Sequence, residues 1–472
     1  MSKKITGLIM GLLVLGLVGL GVVGCGQGGG TEDQSAAPPA SERTISGFVK
    51  NIFSTNEVMS SITVCIEDIM GKSESDGSYS LTGVSPSAET ISAAAPGSVA
   101  TTIQLIEDVT NIPVGYPTQW SYYSDPTETT LVKGRLVDEH GDPVVTSFRA
   151  VLGADGYSLG TSTSSNPSGN FTLSVSTPKN IDSLVGYLSI VKEIDGVYKG
   201  VLQKIDVQRG VTLEVGDIVV AGDVATISGA VTSPSGYRLY SVSCGVQLAS
   251  GLRMSLDNAY YWSSEISGES FSVRLPATPA GEKYYVSAFA VKSGSWTDMV
   301  EKYETDLILS GGEYTYNLTL PAGFLPIYPT VDQENVSNAP RFEWVSMGDG
   351  YVYMLFVGNN YGLRWWGLTS ATSIEYPSFP VGSGGEVVNL ADGNDYFWRI
   401  IGFKIPDIDM TDIQFTDFYF YTETVQFGDI PFKVGSASVS SVKSFDVHDS
   451  ARFDQEVGEF LEKLGVKAAK KK

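Results

Sequence analysis

Thr44-Ile45-Ser46-Gly47-Phe48-Val49 opens a pattern that the chain writes three times. It returns as Leu131-Val132-Lys133-Gly134-Arg135-Leu136-Val137 and as Thr226-Ile227-Ser228-Gly229-Ala230-Val231. About 27 to 36 residues after each opening, a glycine-bearing turn runs into an aromatic segment. These are Asp76-Gly77-Ser78-Tyr79-Ser80-Leu81, Ser168-Gly169-Asn170-Phe171-Thr172-Leu173 and Ser267-Gly268-Glu269-Ser270-Phe271-Ser272-Val273. Self-similarity at a roughly constant spacing marks a repeated structural unit. Glycine supplies the positive φ of a tight turn, and the aromatic residue that follows faces a core.

Outward from these openings, short runs alternate apolar and polar residues between Gly, Pro, Asn, Asp and Ser clusters, as in Tyr187 to Val191, Val211 to Val219, Tyr284 to Ala290 and Tyr314 to Leu320. Period-2 runs at this density predict strands. From Thr44 onward no convincing 3.6-residue apolar stripe occurs until the extreme C-terminus. There Phe453, Val457, Phe460, Leu461 and Leu464 share one face of a predicted helix, followed by Lys467, Lys470, Lys471 and Lys472. The expected fold class is all-β, tandem β-sandwiches with a short C-terminal helix.

The quoted openings and turns, with Asp138-Glu139-His140-Gly141-Asp142-Pro143-Val144 in the second unit, resemble the carboxypeptidase-regulatory-like module, a seven-stranded transthyretin-like β-sandwich. The third unit matches loosely. That resemblance implies accessory, non-catalytic modules that space or bind. A fourth segment, with Asn338-Ala339-Pro340-Arg341-Phe342-Glu343-Trp344, Tyr351 to Val357 and Leu390 to Ile400, is similar to a fibronectin type III-like domain. The resemblance implies that Trp344 packs the core and Tyr396 forms a tyrosine corner. The expected organisation is a signal peptide over 1–24, a lipidated cysteine and tether over 25–43, sandwiches over 44–128, 129–222 and 223–323, the fibronectin-like sandwich over 324–430, and a linker with a basic helix over 431–472.

The N-terminus sets the expected address. Lys3 and Lys4 precede an uncharged apolar run from Ile5 to Gly24 that ends at Cys25. This is a secretion signal, and Val22-Val23-Gly24-Cys25 resembles a bacterial lipobox, which implies lipid on the Cys25 thiol. An uncleaved signal anchor is the alternative, since the run is long enough to span a bilayer. Removal of the two lysines takes the net charge from −22 to −24, so like-charged lipid headgroups repel the body. Gly26 to Glu42 is a polar, Gly- and Pro-containing tether. The expected location is the cell envelope, lipid-anchored and outside the cytoplasm.

Composition closes several function classes. The acidic balance, 31 Lys and Arg against 53 Asp and Glu, excludes the basic footprint of a nucleic-acid binder. Only two histidines, His140 and His448, are present, and no Gly-x-Ser-x-Gly elbow or Cys-x-x-Cys spacing occurs, which leaves triad and zinc chemistry short of residues. Cys65 and Cys244 lie in separate apolar runs and are expected as two buried thiols. No cofactor is called for. Asp407, Asp409, Asp412 and Asp417 on one Pro-initiated loop could offer hard oxygen ligands to Ca²⁺, or form a solvated acidic loop. Trp365 and Trp366 are consecutive, so on a strand they point to opposite faces; one is core and the other either stacks a sugar or is covered by a neighbouring element. The first functional reading is a non-catalytic envelope lipoprotein binding a polysaccharide or protein partner. A glycoside hydrolase with accessory sandwiches and a ligand-free structural spacer are the alternatives.

Overall fold

The computed structural model describes residues 42–435, apart from 52–56, 97, 115–126, 155–156, 180, 249–251, 261–268, 296, 382–385, 414–417 and 419–420, together with Gln455 and Val457. Cys25, the tether as far as Ser41, Gly268, Asp417, His448 and the remainder of the C-terminal helical face lie outside these residues. Gln455 and Val457 are helical, and Val457 is fully buried in the core that contains Phe418 and Tyr421.

The first repeat contains β1 (Arg43–Asn51), β2 (Thr63–Ile66), β3 (Ile69–Lys72), β4 (Ser78–Val84), β5 (Thr90–Ala94), β6 (Ala100–Gln104) and β7 (Ile112–Val114). The second contains β8 (Thr127–Val137), β9 (Ser147–Ala154), β10 (Tyr157–Ser164), β11 (Asn170–Pro178), β12 (Ser183–Ile194), β13 (Val197–Gln208) and β14 (Leu213–Val219). The third contains β15 (Val224–Thr232), β16 (Tyr237–Gln247), β17 (Arg253–Tyr260), β18 (Glu269–Pro276), β19 (Lys283–Lys292), β20 (Met299–Leu307), β21 (Gly312–Thr315) and β22 (Leu318–Thr319). Their topologies coincide. The opening strand is central in a small sheet, antiparallel to the aromatic strand and parallel to the last one: β4-β1-β7, β11-β8-β14 and β18-β15-β21. The other four strands run in the orders β3-β2-β5-β6, β10-β9-β12-β13 and β17-β16-β19-β20.

The glycine of each opening is explained by close approach. A Cβ on Gly47 would lie 1.9 Å from the Thr110 carbonyl oxygen, and one on Gly229 would lie 1.8 Å from that of Tyr316. Both carbonyls belong to the segment that returns beside the opening strand, where Thr110 N–H donates to Ser46 O and Tyr316 N–H to Ser228 O. Only a residue without a side chain lets the two backbones meet there.

The remaining strands are β23 (Pro326–Tyr328), β24 (Gln333–Val336), β25 (Arg341–Trp344), β26 (Tyr351–Asn359), β27 (Gly362–Thr369), β28 (Ser373–Glu375), β29 (Phe379–Val381), β30 (Glu386–Val388), β31 (Asp395–Lys404) and β32 (Glu423–Val434). Three of the four segments expected as separate sandwiches contribute to one 13-stranded sheet, ordered β17-β16-β19-β20-β32-β31-β26-β27-β6-β5-β2-β3, with β24 paired to β32. The third repeat joins through β20 and β32, Met299 opposite Gln426 to Lys302 opposite Glu423. The first joins through β27 and β6, parallel, Trp365 opposite Ala100 to Leu368 opposite Ile103. The second repeat keeps its own core around Leu136, Phe171, Leu173 and Leu188. It meets the third through Tyr187 and Leu202, the Lys204–Glu282 ion pair at 3.2 Å, and the Arg274 guanidinium 4.1 Å from the Tyr198 ring centroid.

Apolar cores cover both faces of the long sheet. Leu355, Val357, Trp398 and Ile400 lie in one; Met354, Phe356, Phe397 and Ile401 lie in the other. The stretch Tyr284 to Ala290, read in sequence as alternating, is therefore buried throughout, as is Tyr351 to Val357. A strand covered on both sides loses the constraint that every second residue be polar. By contrast, β11 keeps strict alternation of exposed and buried positions over Asn170 to Thr177, because its outer face meets solvent.

Candidate binding cleft

At one end of the shared sheet, the register lines up four side chains from four strands. Lys302 of β20 stands opposite Glu423 of β32, Glu423 opposite Lys404 of β31, and Lys404 opposite Tyr351 of β26. Directly opposed residues on a sheet face interact, and here they converge on one carboxylate. Glu423 Oε2 accepts the Tyr351 hydroxyl at 2.6 Å; Oε1 lies 3.5 Å from Lys302 Nζ and 3.7 Å from Lys404 Nζ. Lys404 Nζ also sits 5.8 Å from the Tyr351 ring centroid. Burial, followed by the hydrogen bond to Glu423, raises the Tyr351 phenol above its usual range, so it remains a donor.

Above this row opens a cleft of about 450 Å³, walled by Pro321 to Leu325 on one side and Val345 to Asp349 on the other. That volume lies within the roughly 300–1,000 Å³ typical of ligand pockets. The walls are fixed from below. Phe324 is buried against Trp344 and Tyr353, with ring centroids 6.4 and 6.0 Å away. Val345 N–H donates to Leu325 O at 3.0 Å and Met347 N–H to the Tyr353 hydroxyl at 2.8 Å. Gly348 takes φ 107° in the turn that leads into β26. A smaller cleft of about 230 Å³, lined by Glu67, Glu89, Arg341 and Glu375, lies elsewhere; Arg341 already pairs with Glu375 at 3.4 Å and donates to Ser373 Oγ at 2.7 Å.

The residues singled out from sequence lie away from the larger cleft. Trp365 and Trp366 do point to opposite faces, but both faces are core and both residues are fully buried. Trp365 stacks on Phe342 at 5.7 Å and donates its indole N–H to Thr102 Oγ1 at 2.9 Å. The idea that one of them stacks a sugar is corrected: β27 is an interior strand, its two faces already covered. Of the acidic loop, Asp417 lies outside the described residues, and the other three carboxylates have the surroundings of a solvated loop. Asp409 Oδ1 accepts the Thr411 amide and hydroxyl, which hold its carboxyl below the usual range, and Asp412 pairs with Lys50 at 2.7 Å. Asp407 is exposed at φ 55°. These carboxylates do not converge, and among the described residues no group of three His, Cys, Asp or Glu side chains is placed to hold a metal ion. Cys65 and Cys244 are buried free thiols. His140 is exposed, in a turn held by Asp138. The Tyr396 hydroxyl accepts the Ala391 N–H at 2.9 Å.

No family model matches the chain, and no curated protein matches it. Solved structures to which it is similar include a leucine-rich repeat protein from Bacteroides thetaiotaomicron at 13% identity, covering 41% of this chain and 27% of that one, TM-score 0.21. The chain thus spans about a quarter of that protein's length. A streptococcal ancillary pilin is 11% identical, covering 59% of this chain and 98% of the pilin, TM-score 0.17. A putative cell adhesion protein from Parabacteroides distasonis is 9% identical, covering 52% of this chain and 98% of that one, TM-score 0.16. Superpositions at these scores define no equivalent site, and the cleft is read from this chain's own residues.

Proposed function

We propose that the chain is a non-catalytic cell-envelope protein, anchored by lipid on Cys25, whose sandwich body presents the cleft between Leu325 and Val345 to a polysaccharide or protein partner. The observation that carries this reading is the row Lys302–Glu423–Lys404–Tyr351. It spans the join of the third repeat to the fourth segment within one sheet, so the cleft floor is held by backbone ladders on both sides and is organised before any ligand arrives. Gly47 and Gly229 at the close approaches and the Tyr396 hydrogen bond support likeness to carboxypeptidase-regulatory-like and fibronectin type III-like modules. A glycoside hydrolase would need a pair of carboxyl groups open to substrate, whereas of the two carboxylates that line the cleft, Asp349 and Glu423, the latter has both oxygens engaged.

Two measurements test the proposal. Metabolic labelling with an alkynyl fatty acid should mark the wild type and spare Cys25→Ser; label that survives the substitution removes the anchor. Immobilised full-length mature chain should retain an envelope polysaccharide or protein fraction, and a Val345→Trp variant, blocking the cleft mouth, should retain less. Equal retention by the two removes the cleft from the function.

A further inference from the structure

We propose that the ligand of this cleft is a neutral sugar residue of a polysaccharide; this rests on the binding role proposed above. Lys404, Glu423 and Asp349 line the cleft, and Lys302 shares the Glu423 oxygen from behind. With Lys302 counted, two cations and two carboxylates balance, so the cleft offers no net charge to attract an ionic ligand. The field of a chain with net charge −22 disfavours an anionic polymer further.

Both walls carry apolar residues, Pro321 and Leu325 on one and Val345 and Met347 on the other, and Leu325 is 62% and Val345 45% exposed although both are aliphatic. The floor is polar, with a lysine ammonium and a carboxylate. A pyranose matches that division: its C–H face covers apolar carbon, while its hydroxyls both donate and accept. An apolar ligand would leave Lys404 and Glu423 facing it without water, at the cost of desolvating them. A peptide bound by strand addition would need open backbone partners, whereas Val345 N–H is already donated to Leu325 O.

The test uses saturation-transfer NMR and calorimetry on the full-length mature chain. The probes are neutral gluco-, manno-, galacto- and xylo-oligosaccharides, with oligogalacturonate as the charged comparison. Val345→Trp and Leu325→Trp each narrow the mouth from a solvent-exposed position, and an unchanged Tm shows that they fold. The expected result is binding of at least one neutral oligosaccharide, weakened tenfold or more by both variants and little changed by 0.5 M salt. Three results overturn it: no neutral probe bound, binding indifferent to both variants, or oligogalacturonate preferred. If envelope material is still retained in a Val345-dependent manner while every neutral sugar fails, the binding role stands and the sugar assignment alone falls. If neither depends on Val345, both fall.

Discussion

Gly47 of β1 lies directly across the ladder from Tyr79 of β4, and the same glycine–aromatic pairing recurs as Gly134 opposite Phe171 and Gly229 opposite Phe271. The aromatic ring covers the surface that the glycine leaves bare. Its edge lies 3.2 Å from where a Gly47 Cβ would stand, 2.9 Å for Gly134 and 3.1 Å for Gly229. The two halves of the repeated sequence motif are therefore one contact seen from two strands.

Alanine at these glycines should destabilise in a defined order. At Gly47 and Gly229 the obstacle is a backbone carbonyl under 2 Å away, which cannot step aside; at Gly134 the nearest atom is a Val215 methyl at 2.6 Å. Overpacking costs about 1–3 kcal/mol and occasionally more. Gly47→Ala and Gly229→Ala should fall at or beyond the top of that range and Gly134→Ala below them, read as shifts in urea midpoint. Equal shifts at all three would contradict the carbonyl argument.

Trp365→Ala and Trp366→Ala should each open a cavity in one of the two cores and lower stability by about 3–5 kcal/mol. Neither should alter ligand retention at the cleft. A loss of binding without loss of stability would return these residues to a recognition role.

High pH should unfold the protein through its tyrosines. Burial first, and the Glu301 carboxylate second, raise the phenols of Tyr285, Tyr303 and Tyr421 above the ordinary value near 10, and burial pushes Tyr237 up to about 12. In the unfolded chain these groups ionise near 10, so above that pH the folded state holds more protons. Stability is then complete below pH 10 and falls as pH climbs, by about 1.4 kcal/mol per pH unit for each such tyrosine. Phenolate absorbance at 295 nm should rise together with the loss of β-sheet circular dichroism. A phenolate signal well before unfolding would mean that the rings are open to solvent.

Gln104 holds the seam between β6 and the end of β27. Its side-chain oxygen accepts from Thr369 Oγ1 at 3.1 Å, Ser370 N at 2.7 Å and Ser370 Oγ at 2.8 Å. Gln104→Ala removes one acceptor from three donors and should cost about 1–3 kcal/mol. Amide exchange should quicken in β6 and β27 while the distant β16 and β19 keep their protection. Uniform quickening across the sheet would deny the seam any independence.

Local signals carried much of this architecture and none of its long pairings. The openings at Gly47, Gly134 and Gly229, with Tyr79, Phe171 and Phe271, are short motifs whose strands pair within one unit, so the repeat and the all-β class are legible from residue type and spacing. That Trp365 and Trp366 point opposite ways also follows from strand geometry. What lies over each face does not, because it depends on β6, some 263 residues away in sequence from Trp365 through the Thr102 hydrogen bond. The cleft was invisible for the same reason: Lys302, Tyr351, Lys404 and Glu423 sit on four strands and acquire a common purpose only through register. Their one local sign is a charged residue at a strand end, as Lys404 ends β31 and Glu423 begins β32.

The parallel join of β27 to β6 also sets a timetable. In a chain that is synthesised or exported N-terminus first, β6 has its β5 neighbour early, but its other edge stays open until residues 365–368 emerge. Through that interval it is a bare hydrogen-bonding template beside apolar Ile103, able to pair with the wrong strand. A segment made late in synthesis is thus the guard of the first repeat, and truncation before Trp365 should yield a first repeat that aggregates through β6.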